Sequence, residues 1–256
     1  DLMASAVTSS GGVAGTLNLI RVSNAAGQTW LGVEATDLSF DLEFPPLTVE
    51  VSNVSLLLNE VTGGATKVDW NTDFGLSFTL AVDANVNLSV SGDASVTFEG
   101  LLTVGGSFSL EQFDVELDTV TPDADYAQLG SGAMGLALTL SVSGTASSTG
   151  VSGAGTLQLL RLTNAAGQSW LGVEATDLSF EMDFSPLTLQ VSEGTLALNE
   201  APDGQQKLDW STAVVEAGTP YNLGVGSDVD LTVSGDATID IDGLLSVEGN
   251  FALAQV

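Results

Sequence analysis

The chain has 256 residues, 44% of them hydrophobic and 14% charged, which is enough apolar content to bury a core and too much for an intrinsically disordered chain. Its 33 acidic residues face 4 basic ones, for a net charge of −29, and such a surface repels nucleic-acid phosphates and anionic lipid headgroups. With no Cys and no His it has no disulfides, thiolate or imidazole metal sites, Cys nucleophiles or Ser-His-Asp triads, so the expectation is a protein that is not an enzyme.

Taken in chain order, Asp1 to Gly11 is Ser/Gly-rich, lacks an initiator Met, and lines up with Ser141 to Val151. It reads as the end of a preceding repeat, and the sequence as a segment of something longer. GTLNLIR from Gly15 leads into the block NAAGQTWLGVEATDLSF, Asn24 to Phe40. Inward parity then flips between Phe44 and Leu47 across Pro45-Pro46, and again between Val51 and Val54 across Ser52-Asn53. Both flips predict two-residue reversals or bulges, and Pro45-Pro46, having no N–H to donate, predicts a corner at an edge. KVDWNT follows from Lys67.

From Leu76 to Leu110 every even position is apolar or Gly, and the odd ones are polar or Gly apart from Ala81 and Leu101. A period of two, with no helical period and many Val, Thr, Ser and Gly, predicts an all-β protein. The phase persists across Asp83-Ala84-Asn85, Ser91-Gly92-Asp93, Gly100 and Gly105-Gly106. Such corners are either odd in length or bends without reversal. Bending without reversal is how a β-solenoid turns, with Gly at the tight places. A β-solenoid is therefore expected, with tandem β-sandwich modules as the alternative.

The second copy begins with GTLQLLR at Gly155 and NAAGQSWLGVEATDLSF, Asn164 to Phe180, which differs from the first block only at Ser169. KLDWST at Lys207 again matches at an offset of 140 residues, which grows to 143 where LTVSGDATIDIDGLLSVEGNFALAQ from Leu231 aligns with Leu88 onward. The three extra residues lie between Ala213 and Ser227, which predicts a loop there. The divisions are 1–11 as the end of a preceding repeat, 12–151 as repeat 1 and 152–256 as a truncated repeat 2, or one continuous solenoid.

Residues recurring at matched positions are the candidates for structural roles. All four cations recur, Arg21 with Arg161 and Lys67 with Lys207, and carboxylate partners are expected to hold them. Lys67 and Asp69, like Lys207 and Asp209, are spaced to share a strand face. Trp30 recurs as Trp170, and Trp70 as Trp210, positions expected to pack in a core or corner rather than to stack on ligands. Candidate calcium (Ca2+) ligands are Asp123 and Asp125 in TPDADYAQLG, Asp228 and Asp230 in GSDVD, and Asp240 and Asp242 in TIDIDG. Calcium takes six to eight oxygens, often from close carboxylates, yet none of these matches an EF-hand loop, and a solvated acidic face is the plainer reading. No apolar run approaches the roughly 18 residues of a membrane helix.

GSFSLEQ at Gly106, GNFALAQ at Gly249, the QTWLGVEATDLSF block and YAQLGSGAMGLALTLS from Tyr126 together resemble the repeat regions of giant bacterial secreted or cell-surface, adhesin-like proteins. The resemblance is one of class and covers nearly the whole chain, although the calcium-binding nonapeptide of one such group is missing. It implies an extended stalk, spacer or filament segment that is extracellular or at the cell surface. Its partners would be neighbouring repeats of the same longer chain. A module binding a glycan or another surface ligand is the alternative, although no regular outward row of Thr or aromatic residues is seen.

Overall fold

The computed structural model describes the chain except residues 1, 11–12, 45–46, 73–78, 99–101, 116–125, 146–150, 212–213, 217–218, 242–243 and 256. The described residues are all-β apart from one short 3-10 turn, Tyr126–Leu129. The first half gives β1 (Leu2–Ser10), β2 (Val13–Ser23), β3 (Thr29–Phe44), β4 (Leu47–Thr62), β5 (Leu88–Phe98), β6 (Leu102–Asp114) and β7 (Met134–Thr145). The second gives β8 (Val151–Thr163), β9 (Ser169–Phe184), β10 (Leu187–Glu200), β11 (Val214–Glu216), β12 (Thr219–Tyr221), β13 (Leu231–Ile241) and β14 (Leu245–Gln255).

Apart from the small β11–β12 hairpin, these strands form one 12-stranded sheet in sequence order, from β1 at one edge to β14 at the other. Each strand pairs antiparallel with the one before it, and the two edges do not meet, so the sheet is open. Repeat 1 is the run of strands β2 to β7. Repeat 2 begins again at β8, with β13 and β14 in the places of β5 and β6.

This arrangement corrects the expected solenoid and also its sandwich alternative. A coil stacks parallel strands and a sandwich faces two sheets, whereas here the chain doubles back at every step within a single layer. The phase that suggested continuous winding has another cause. Phe98 pairs directly with Leu102, so the reversal between β5 and β6 uses the three residues 99–101, and an odd loop keeps inward parity unchanged. Gly92, Gly105 and Gly106 lie inside strands and turn no corner. The two parity flips are what two-residue irregularities produce: Phe44 pairs with Leu47 across 45–46, and a bulge shifts the β4–β5 register between Ser52 and Ser55. The Pro45-Pro46 corner itself lies outside the described residues.

The bulges repeat with the sequence. Asp37 and Asp177, and Asn53 and Glu193, are the non-Gly residues with positive φ among those described, and each pair is separated by the repeat offset. They line up with Gly15 and Gly155, where a Cβ would press on Leu38 and Leu178, in a band that kinks neighbouring strands together.

The two faces differ. One cross-strand row reads Leu56, Val90, Leu110, Leu138, Leu159 and Val173, each paired with the next. One residue away, on the opposite face, the row is Ser55, Ser91, Ser109, Thr139, Gln158 and Glu174. Toward one margin the polar face itself becomes apolar, at Ile20, Phe113, Leu160, Leu162 and Trp170, and there side chains from the described parts of the long connections 63–87, 115–133 and 201–230 pack on it. The short turns at 24–28 and 164–168 share this margin, and the strands join at the opposite one by short connections alone. The buried core is thus a cap along one rim of the sheet, not a layer between sheets.

Candidate functional site

Each cap is organised around a buried Asn. Asn59, 2% exposed, donates its Nδ2 to the carbonyls of Val68 (2.9 Å) and Asp83 (2.8 Å), while its Oδ1 accepts from Trp70 Nε1 (3.0 Å). Asn199 repeats this with Leu208 O (2.8 Å), Gly226 O (2.9 Å) and Trp210 Nε1 (2.9 Å). One amide therefore ties both arms of a long loop to the sheet, and the indole seals it. Beneath each indole the sheet has a glycine: a Cβ on Gly32 would lie 2.6 Å from Trp70, and one on Gly172 would lie 2.8 Å from Trp210. Neither Asn was singled out from the sequence. The signal was the same polar residue in LLLNE and LALNE, at an otherwise apolar stretch and one repeat apart.

The recurring Trp residues serve this cap. Trp70, Trp170 and Trp210 are buried, with the Nε1 of Trp170 donating to Gln206 O at 3.0 Å. Trp30 makes the matching bond to Thr66 O at 2.9 Å but stays half-buried. The cause is visible in the neighbouring unit. Phe113, Tyr126, Leu129 and Ala133, from the end of repeat 1, join the cluster of Trp170 and Trp210, Phe113 stacks on Tyr221, and Tyr126 donates to Asp209 O at 2.8 Å. The cluster of Ile20, Trp70, Leu80 and Val82 has no such contribution among the described residues.

The lysines find carboxylates, though not those two residues along the strand. Lys67 pairs with Asp114 at 2.7 Å and donates to Asn87 Oδ1, and Lys207 pairs with Asp230 and donates to Val229 O at 2.9 Å. Asp69 and Asp209 instead cap the turns that follow, accepting the amide N–H of Asn71 (2.9 Å) and of Ser211 (3.0 Å). Arg161 donates to Ser169 Oγ at 3.0 Å, while Arg21 sits opposite Leu31 in the sheet. Among the candidate calcium ligands, Asp123, Asp125 and Asp242 lie outside the described residues. Asp230 is taken by Lys207, Asp228 lies in the turn before it, and Asp240 lies within β13 opposite Thr188. Among the described residues no group of three or more acidic side chains could hold a metal ion.

Three open surfaces stand out among the described residues. On the polar face a shallow groove of about 670 Å3 is lined by Ser, Gly and Ala residues with Glu50, Asp93 and Asp177 at its sides. On the apolar face a hollow of about 270 Å3 lies among Val104, Val142, Val151 and Phe180, where Gly144 and Gly153 leave space. The third is the free edge at β14, where every residue is exposed, Leu253 at 63% and Phe251 at 42%. No described helix is long and apolar enough to cross a membrane. In comparison with known proteins, no family model, curated protein or solved structure matches the chain.

Proposed function

We propose that this chain is a structural segment of an extracellular repeat protein, one that lengthens a stalk, spacer or filament by adding strands to a continuous sheet. The observation that carries the reading is that the 140-residue sequence repeat is also a structural repeat, entered at β2 and re-entered at β8 without the sheet closing between them. A unit that leaves its last strand ready for the next suits linear growth, in which stability is a sum of local terms and neighbour interfaces. The unequal caps support it, since repeat 1 completes the cap of repeat 2. A surface carrying −29 keeps such segments apart sideways and suits a saline exterior, as does the resemblance to adhesin-like repeat regions.

The test is length against repeat number. Chains with one, two and three further copies of the 140-residue unit are measured by small-angle scattering and by electron microscopy of single molecules. The maximum dimension should rise by a constant step of up to roughly 29 Å per unit, the width of six strands. A dimension that grows as the cube root of mass would defeat the proposal.

A second reading, a carbohydrate-binding module, draws on the polar groove, whose carboxylates and hydroxyls could bond sugar hydroxyls. It is the weaker one because three of the four Trp, the side chains best suited to stack on sugars, are buried in the caps. Dose-dependent retention on a glycan array, abolished by Asp93→Ala, would reverse this order.

A further inference from the structure

One face of the sheet has no cover. From β2 to β10 no described strand packs face to face with another, and the buried clusters belong to the caps on the polar side. On the apolar side Leu17, Val96, Val142, Phe180 and Leu187 are 36% to 43% exposed. Among the described residues, the hydrophobic side chains of this face that reach burial are the small Ala35, Val54 and Ala175. The strands β2 to β10, each at least 11 residues long, make a face of about 43 by 36 Å, or about 1,500 Å2. That is well above the few hundred Å2 of apolar patch that a monomer usually shows. Two such faces in contact would bury about 3,000 Å2, and about 2,000 Å2 if sheet twist removes a third, which is the range of permanent homodimers. Further units add strands beside the sheet, so a longer chain enlarges this face and does not cover it.

Two observations say that the cover is a second copy. The first is charge. Apart from Asp114 at the end of β6, which Lys67 holds, the charges on this face of β2 to β10 stand at its capped margin: Arg21, Glu60, Arg161 and Glu200, all exposed. They lie on β2, β4, β8 and β10, which are disposed symmetrically about β6. Turning a second copy over, about a two-fold axis parallel to the strands at β6, lays β2 on β10 and β4 on β8. Each Arg then faces a Glu, offset by one step of two residues along the strand. The second is shape. The same axis lays β5 on β7, and one cross-strand row runs Val96, Val104, Gly144, Gly153. Val96 stands out from β5, 39% exposed, while the hollow of about 270 Å3 lies at Gly144 of β7. The projection of each copy meets the hollow of the other.

We infer that the apolar face packs against the same face of a second copy of this chain, about a two-fold axis at β6, to give a ribbon two sheets thick. The layers stand about 10 Å apart. Val96 of each copy sits over Gly144 of the other, Arg21 faces Glu200, and Arg161 faces Glu60. The contact is isologous and closes at two molecules. Both polar faces, with Glu50, Asp93 and Glu174 among their carboxylates, remain outside and repel a third layer.

Sedimentation equilibrium of the native chain, at about 10 μM in about 0.15 M salt, should show a dimer. Val142→Asp sets a carboxylate on the apolar face one strand from the axis, and should give monomers with an unchanged circular dichroism spectrum. Ser107→Asp adds the same charge on the polar face and should leave the dimer intact. The marginal charges give a test that needs no change in the apolar rows. Arg21→Glu with Arg161→Glu, and separately Glu60→Arg with Glu200→Arg, turn the facing pairs into like charges and should each weaken the dimer at least about tenfold. An equal mixture of these two variants should restore it as a mixed dimer. A native chain that stays monomeric, a dimer untouched by Val142→Asp or broken equally by Ser107→Asp, or a mixture no tighter than its components would each overturn the inference. So would a monomer that binds neutral phosphatidylcholine vesicles and loses that binding with Val142→Asp, since lipid would then be the cover. Growth by covalently joined repeats needs no second molecule, so failure here leaves the length test standing.

Discussion

Replacing Asn199 by Ala should cost as much stability as truncating a large buried side chain at that rim. The amide makes three hydrogen bonds, at 2.8, 2.9 and 2.9 Å, and the residue is 2% exposed. Removing it leaves the Trp210 indole N–H and the carbonyls of Leu208 and Gly226 without partners. An orphaned buried group costs about 1–3 kcal/mol, with carbonyls nearer the low end, so the expected total is about 3–5 kcal/mol. Asn199→Asp keeps the shape but turns the two donors into a carboxylate oxygen facing two carbonyls, and should be worse still. Urea unfolding followed by Trp fluorescence suits the question, because Trp30, Trp70, Trp170 and Trp210 all belong to the capped rim. A loss below about 1 kcal/mol for Asn199→Ala, with an unchanged emission spectrum, would refute the idea that this amide holds the loop to the sheet.

Further outcomes follow from the same geometry. Gly172→Ala drives a Cβ to within 2.8 Å of the Trp210 ring and should lower stability by about 1–3 kcal/mol, measured in the same urea titration. Glu193 holds a φ of +51°, which in repeat 1 is met by Asn53, so Glu193→Asn should raise stability by up to about 1 kcal/mol in thermal melts. Hydrogen exchange should show the amide of Trp70, bonded to Val82 O, losing protection before that of Trp210, bonded to Val225 O, because among the described residues only the latter cap draws in Phe113, Tyr126 and Leu129 from the end of repeat 1. With a net charge of −29, raising sodium chloride from about 0.02 to 0.5 M should raise the melting temperature; a flat response would mean that the carboxylates are too dispersed to repel one another.

The strand content, the internal repeat and the irregularities at 45–46 and 52–53 were all legible, since each leaves a mark on the period-two pattern. The topology was not. Alternation reports which face a residue takes but says nothing of direction, and a three-residue reversal at 99–101 leaves the same trace as a bend without reversal. Lysine partners were missed for a related reason. Lys67 and Asp69 share a strand-like spacing, but the segment is a loop, where Asp69 turns to the amide of Asn71 and Lys67 reaches β6. The Asn–Trp pair could have been read from LLLNE and LALNE, because a polar residue repeated at an apolar position signals a buried partner, here a loop from the same repeat.

An even number of strands per unit has a geometric result for any longer array. After β2 through β7 the backbone returns to the margin it left, heading the same way, so β8 starts as β2 did. Equivalent excursions, such as 63–87 and 201–230, therefore emerge on the same side of the ribbon one unit apart, at a spacing of roughly 29 Å set only by the distance between strands. Such a ribbon is polar in the directional sense, with a decorated selvedge and a plain one, and whatever those excursions come to carry would be displayed as evenly spaced marks on a ruler.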